Sequence, residues 1–262
     1  MISVRHLLQF TTTCASCKWR IPASGPFCRT CLAALEAAPA LCPKCWTPHL
    51  EVERSLCDVS AFAGEAALPP LFACFPAIGQ AHQVLKAWKV GTPSVMDRAV
   101  LGETTGKNQT LMTWLHGLVR PDWIVPIPQL AERRRALGGG STIRLARHFS
   151  RALEIPWLAL LEKTGRSEIP RQATLGHQNR LENRLEFQLN RERAAMTARP
   201  GVGRRLLLVD DIVTTGRTLT AAVETAHRKG YPVTGALVLG WRPQISDFAA
   251  TGQSPEVRGR SP

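Results

Sequence analysis

Tyrosine occurs once in this chain of 262 residues, and cysteine is missing altogether after position 74. No apolar run approaches the roughly 20 residues needed to span a bilayer, so membrane insertion is not expected. The N-terminal stretch "MISVRHLLQFTTTC" holds one Arg and an apolar patch too short for a secretory signal, so a cytoplasmic location is expected. Aromatic residues are few. The seven Trp are dispersed, without the basic–aromatic interleaving that stacks single-stranded nucleic acid. Acids are scarce as well: 20 Asp and Glu against 33 Lys and Arg leave a net charge of +13. That excess favours polyanions such as phosphorylated metabolites, nucleic acid or an anionic membrane surface, although a merely solvated Arg-rich surface has the same composition. Hydrophobic content of 44% with 20% charged residues is that of a globular chain with a packed core.

The cysteines that are present crowd into the first 74 residues. Cys14/Cys17, Cys28/Cys31 and Cys42/Cys45 are three CxxC knuckles, and Cys57 follows without a second cysteine, since Ser60 stands three positions on. Tight thiolate-bearing turns at this spacing suit a tetrahedral Zn2+, which would stabilise a module too small to build its own core. A disulfide framework is the alternative, but it needs an oxidising compartment and no export signal is visible. One four-Cys site is expected. A second would have to recruit an outside ligand, with His49 the nearest candidate. Cys74, in "LFACFPAIG", reads as a buried apolar residue. The expected organisation is a zinc-binding knuckle module over 1–62, an α/β domain over 63–242 and a disordered tail over 243–262, rich in Pro, Gly, Ser and charge.

Between hinge and tail the pattern alternates. After the Pro-containing hinge "EAALPPLFA", "IGQAHQVLKAWKVGT" has helical spacing and carries Lys86 and Lys89. "VMDRAVLGETTGKNQTLMTWLHGLV" is a second helical stretch interrupted by the polar patch 104–108. "DWIVPIP" reads as a strand, "STIRLARHFSRALEI" as an amphipathic helix with Ser141 as N-cap, and "WLALLEKT" as strand-like. "RQATLGHQNRLENRLEF" is charged and loosely helical, "RLLLVDD" a buried strand, "TLTAAVETAHRKG" a helix and "PVTGALVLGW" a last strand. Strands alternating with helices predict a parallel α/β sheet.

The short apolar run Leu206–Val209 ends on two carboxylates, Asp210 and Asp211, with hydroxyls and a glycine directly after. In an open parallel sheet ligands bind beyond the carboxyl ends of strands. Bare carboxylates cannot be buried there without hydroxyl or cation partners. A ribose 2′,3′-diol offers two donors at a fitting spacing, and a ribose-bound Mg2+ would also be consistent. The following "IVTTGRT" leads into a helix N-terminus whose outward N–H groups favour phosphate. Gly216 permits close backbone approach, and Thr214, Thr215 and Thr218 add hydroxyls beside Arg217. Together these describe a ribose 5-phosphate site.

"LLLVDDIVTTGRT" resembles the phosphoribosyl-diphosphate (PRPP) motif of type I phosphoribosyltransferases, and the Cys-knuckle module ahead of it resembles the ComF (ComFC-like) group. "LKAWKVG" is similar to that group's LK…G segment. "IVPIP" with Arg133, Arg134 and Arg135 is similar to its VPVP…R…RGFNQ segment, and Gln172, Leu175, Arg180, Asn183 and Phe187 fall close to a Q..L….R..N…F pattern. The resemblance spans roughly residues 14–242. It departs where RGFNQ would stand, since this chain reads "LGGGS" over Leu137–Ser141. The loss of Asn and Gln bears on second-substrate contacts.

The resemblance implies a type I phosphoribosyltransferase-like parallel sheet and displacement at the anomeric carbon of PRPP. Mg2+ and basic side chains would stabilise the departing pyrophosphate. Asp210 and Asp211 would hold the ribose, Thr214–Thr218 the 5-phosphate, and Arg133 with Lys86 or Lys89 the pyrophosphate. For the two lysines a solvated helix face is the alternative. The metal ligands implied are Cys14, Cys17, Cys28, Cys31, Cys42, Cys45 and Cys57. ComF resemblance also links the chain to competence and DNA uptake, so binding of single-stranded DNA or of competence proteins without turnover is a second expectation. PRPP sensing without turnover is a third.

Overall fold

The computed structural model describes residues 11–22, 25–35, 69–105, 109–129, 140–164, 186–197 and 204–242. Arg133, Cys42, Cys45, Cys57 and His49 lie outside the described residues, as do the boundary near 62 and the segment 243–262.

Four parallel strands make the central sheet. In chain order they are β3 (Leu71–Pro76), β4 (Trp123–Pro126), β7 (Leu206–Val213) and β8 (Val233–Trp241), and in space they run β3-β8-β7-β4. Both faces are covered, as parallel sheets require. Leu207 and Val209 of β7 point into one apolar cluster, Leu206 and Leu208 into the other. The strand therefore reads as an unbroken apolar run rather than an alternating one.

One face carries α2 (Gly79–Val90), α3 (Pro93–Thr105) and α5 (Ser141–Leu153). Between α3 and α5 come α4 (Gln109–Trp114) and a π-helical turn, Leu115–Val119, which stops at Arg120 in the left-handed region. The other face carries α7 (Arg217–Arg228) and a small antiparallel ribbon, β5 (Leu161–Thr164) with β6 (Glu186–Leu189), followed by α6 (Arg191–Thr197).

The N-terminal knuckles form a second antiparallel ribbon, β1 (Thr11–Thr13) with β2 (Arg20–Pro22), and a short helix α1 (Arg29–Ala33). Among the described residues of this part, Cys14, Ile21, Phe27, Cys31 and Leu35 are buried in the same cluster as Ala81, Val84 and Leu85 of α2.

Helix α2 crosses the sheet near its carboxyl edge. Leu85 sits where a β-carbon on Gly240 would come within 2.8 Å of its Cδ1, and Ala77 and Ile212 close the same spot. Only the bare backbone of Gly240 lets the helix lie that low. At its far end Trp88 is buried; its Nε1–H donates to Asp97 of α3 at 2.8 Å. Arg144 of α5 stacks 4.7 Å above the Trp88 ring and donates to Asp97 through Nε at 2.9 Å. Three helices are thus pinned at one point by a cation–π contact and a paired charge.

Several expectations need correction. The segment Leu71–Pro76 is a sheet strand, not part of a hinge; flanking prolines and burial on both faces hid its periodicity. Helix α5 is entered from Gly140, at φ +81°, and Ser141 is its first residue rather than its cap. Glu186–Leu189, the end of the charged stretch read as loosely helical, is strand, because it pairs with β5. The strand bearing the acid pair does not end on it but runs on to Val213, where it still pairs with Trp241.

Candidate functional site

The helices after β4 and β7 fall on opposite faces of the sheet: α5 packs with Leu145 and Phe149 in one cluster, α7 with Leu219 and Val223 in the other. Neighbouring strands whose helices diverge in this way leave a crevice beyond their carboxyl ends, the usual ligand position of an open α/β sheet. Gln129, Ser141, Asp210, Asp211 and residues 214–216 converge there.

Because β7 continues through the acid pair, its side chains alternate and the two carboxylates are placed on opposite faces. Asp211 turns toward α2 and α5 and is 5% exposed. Its Oδ2 pairs with Lys89 Nζ and accepts from Ser141 Oγ at 2.5 Å and Gln129 Nε2 at 2.8 Å, while Oδ1 accepts from the Ile212 N–H at 2.8 Å. Four protein groups thus surround this one carboxylate.

Asp210 is half-buried and accepts from the Asp211 N–H at 2.8 Å. Burial, and then the neighbouring Asp211 charge, push it up to about 8, with the Asp211 N–H, Lys89 and Lys163 pulling the other way. One acid is enclosed by protein donors, and the other is left at the crevice with its carboxyl raised above the ordinary range.

The turn after β7 leads into a helix start without a side-chain cap. Gly216, at φ +70°, is the N-cap of α7 and supplies no side-chain cap, and no acidic residue lies in the first turn. The opening N–H groups of an α-helix have no acceptor within it. Thr214 and Thr215 are exposed beside them. Thr218 is partly exposed, and Arg217 lies on the exposed side of the first turn.

Lys86 is exposed one turn before Lys89 and does not join it at Asp211. Burial, then Arg242 and Lys86, hold His82 below the usual imidazole range. Lys86 of α2 and Arg242, just past β8, are thus near His82 rather than at Asp211.

Gln129 was not singled out in the sequence, and Ser141 was read there only as a helix cap. Gln129 Nε2 donates to Ser141 Oγ at 2.6 Å as well as to Asp211, and its Oε1 is buried without a hydrogen-bond partner among the described residues. The available signal was the position of Gln129, just past a strand's carboxyl end.

At the opposite end of α2 the Sγ atoms of Cys14, Cys17, Cys28 and Cys31 all lie within 4.8 Å of one another. Cys14 to Cys31 is 3.7 Å and Cys17 to Cys28 is 3.8 Å. Both match the edge of a tetrahedron about 3.8 Å wide that Zn–S bonds of about 2.3 Å would generate, and both are far too long for a disulfide. Backbone donors already serve the sulfurs, from Cys28 N to Cys14 Sγ at 3.3 Å and from Cys31 N to Cys28 Sγ at 3.4 Å. Burial opposes ionisation of Cys14, yet N–H groups of Cys17, Cys28 and Ser16 bring it down to about 6; burial and the other three sulfurs push Cys31 up to about 12. Four thiols this close cannot all ionise without a cation. The cluster could hold a metal ion such as Zn2+. Cys74 is buried in β3 as a free thiol, away from this group.

No helix among the described residues is long and apolar enough to cross a membrane. No protein-family model matches the chain. It is similar to the DNA utilization protein YhgH of Escherichia coli K12, 28% identical over 216 residues that cover 78% of this chain and 85% of the relative. The Shigella flexneri protein of the same name is 27% identical over the same shares. Among solved structures, orotate phosphoribosyltransferase from Aeropyrum pernix aligns with 59% of this chain and 81% of its own, at 20% identity and a TM-score of 0.28. Adenine phosphoribosyltransferase from Thermoanaerobacter pseudethanolicus aligns with 56% and 83%, at 16% identity and a TM-score of 0.32. The fold described above rests on its own strand pairing and not on these loose superpositions.

Proposed function

We propose that this chain is a ComF-like protein that binds PRPP, or another ribose 5-phosphate, in the crevice between β4 and β7, and acts as a phosphoribosyltransferase. The first turn of α7 behind Gly216 carries this reading, because a helix N-terminus without a side-chain cap or an acid in its first turn, beside the hydroxyls of Thr214, Thr215 and Thr218, suits a monophosphate. The motif that supplies the turn, "LLLVDDIVTTGRT", supports the same conclusion.

The division of labour differs from a simple pair of ribose-gripping acids. Asp210 is the carboxylate that would accept a ribose hydroxyl. Asp211 anchors Lys89, Ser141 and Gln129, and so shapes the wall on which the sugar would rest. Gln129 Oε1 offers that wall one acceptor for a ligand donor. PRPP would enter as its Mg2+ complex, the cation being part of the substrate and neutralising the leaving pyrophosphate. Lys86, Lys89 and Arg133 are the proposed basic contacts for pyrophosphate. Water exclusion and orientation would come from the apolar layer that α2 lays across the sheet edge.

Zn2+ in the Cys14/Cys17/Cys28/Cys31 cluster would be structural, since four sulfurs leave no open coordination position. Cys42, Cys45 and Cys57 remain proposed ligands of the same module.

Isothermal calorimetry with Mg2+–PRPP tests the site. Binding by the wild type and its loss in Asp210→Asn/Asp211→Asn are expected, and no heat from the wild type would refute the reading. Pyrophosphate release across a panel of bases and amines then tests turnover.

A second reading, single-stranded DNA binding in DNA uptake without turnover, draws on the +13 charge and on the name of the bacterial relatives. Filter binding at low and moderate salt decides it, and no retention at low salt would retire it.

A further inference from the structure

The two ends of α2 touch two different chemistries. At the first turn, Gln80 Nε2 donates to Cys31 Sγ at 3.2 Å and to Ser16 Oγ at 2.7 Å. Nine residues on, Lys89 pairs with Asp211 in the crevice. Nine residues of α-helix span about 14 Å. Between these ends Leu85 rests on Gly240, and Ala81, Val84 and Trp88 are buried in the cluster that also holds Cys14, Cys31 and Leu35. The first two knuckles therefore pack directly against the helix.

We propose that Gln80 is a positioning residue that reads the metal state of the Cys14/Cys17/Cys28/Cys31 cluster and passes it along α2 to the Lys89–Asp211 pair. An outer-shell amide that donates to a metal-bound thiolate orients that ligand and spreads its charge. The same donation fixes the first turn of α2 against the knuckle. When the cluster is loaded, Cys31 Sγ is held at one place and Gln80 with it. When it is empty, the four sulfurs lose their common centre, and the first turn of α2 loses its anchor. The helix has only twelve residues and is held at Trp88 by Arg144 and Asp97, so a displaced first turn tilts it as one body about that point. Lys89, one residue past the pivot, then changes its angle toward Asp211. The link itself does not depend on the ligand of the crevice. Its use, as metal control of the ribose phosphate site, rests on the function proposed above.

The experiment is made on the full chain without any sugar phosphate, so it stands or falls separately from PRPP binding. Zn2+ affinity is measured by chelator competition and Co2+ loading by the sulfur-to-cobalt absorption bands, for the wild type, Gln80→Ala, Gln80→Glu and Ser16→Ala. Gln80→Ala is expected to bind Zn2+ about tenfold more weakly, with a shifted cobalt band. Gln80→Glu, which places a carboxylate where the donor stood, is expected to bind more weakly still, and Ser16→Ala to fall between. Hydrogen exchange is followed in parallel. Removing Zn2+ from the wild type should speed exchange over residues 79–90, including 86–90, while residues 206–209 of β7 stay protected. Metal-loaded Gln80→Ala should show part of the same change. Unchanged affinity and spectra in Gln80→Ala would overturn the proposal. So would fraying confined to the first turn, or loss of protection in α2 and β7 together, which would make the cluster a general stabiliser.

Discussion

Lys89, near the end of α2, and Asp211, on the sheet edge, form an ion pair that closes the wall of the crevice, with Ser141 and Gln129 completing the shell around the carboxylate. The pair joins elements more than a hundred residues apart in sequence, and it determines which of the two adjacent acids is left for a ligand.

Removing one partner of such a pair costs more than the pair contributes, because the other charge stays buried. Lys89→Met should therefore destabilise the protein by about 3 kcal/mol, whereas Lys86→Met, at an exposed position, should change stability little. Urea denaturation of the two variants makes the comparison.

Asp210 gives the chain a pH dependence of definite sign. Its folded value, about 8, lies above the ordinary carboxylate value. The stabilisation it brings is complete below pH ~4 and is lost as pH rises through about 8. Wild type should thus lose about 1 kcal/mol per pH unit across that window relative to Asp210→Asn. Paired urea melts at pH 6 and pH 8, with the metal loading held constant, would show the gap widening toward pH 8; a constant gap would contradict it.

Gly216 occupies the left-handed region at φ +70°, where a β-carbon is strained. Gly216→Ala should cost about 1 kcal/mol and disturb the first turn of α7. PRPP affinity, read by calorimetry, should fall by more than the stability loss accounts for, since the variant keeps a folded sheet with a misshapen phosphate cradle.

Gly240 is tight for a different reason. A β-carbon there meets Leu85 Cδ1 at 2.8 Å and Ala77 Cβ at 3.2 Å. Gly240→Val should destabilise by about 1–3 kcal/mol and lift α2 off the sheet. Leu85→Ala in the same chain makes room and should restore part of the loss, a coupling that a double-mutant cycle measures.

Much of the site was legible in sequence because its signals are local. An apolar run, two acids and a threonine–glycine turn ahead of a helix sit within thirteen consecutive residues, and each belongs to one strand end or one helix start. The CxxC spacing likewise marked seven cysteines as candidate ligands; four of them, Cys14, Cys17, Cys28 and Cys31, converge, and the other three lie outside the described residues. The strand Leu71–Pro76 was hidden because burial on both faces removes the alternation that marks a strand. Ser141 resembled a cap because hydroxyls favour helix starts, yet its Oγ donates to a carboxylate seventy residues away.

By itself the sequence determined the parallel α/β alternation, the threonine–glycine turn ahead of a helix and a cluster of thiols able to hold a metal, all of them written in residues close together along the chain. Only the tertiary structure decided that Asp210 and Asp211 part to opposite faces, that Lys89 and not Lys86 reaches Asp211, and that the knuckles share one core with α2. Those outcomes depend on how far β7 extends and how low a helix can sit on Gly240. Both follow from packing between distant segments, where no short stretch of sequence holds the information.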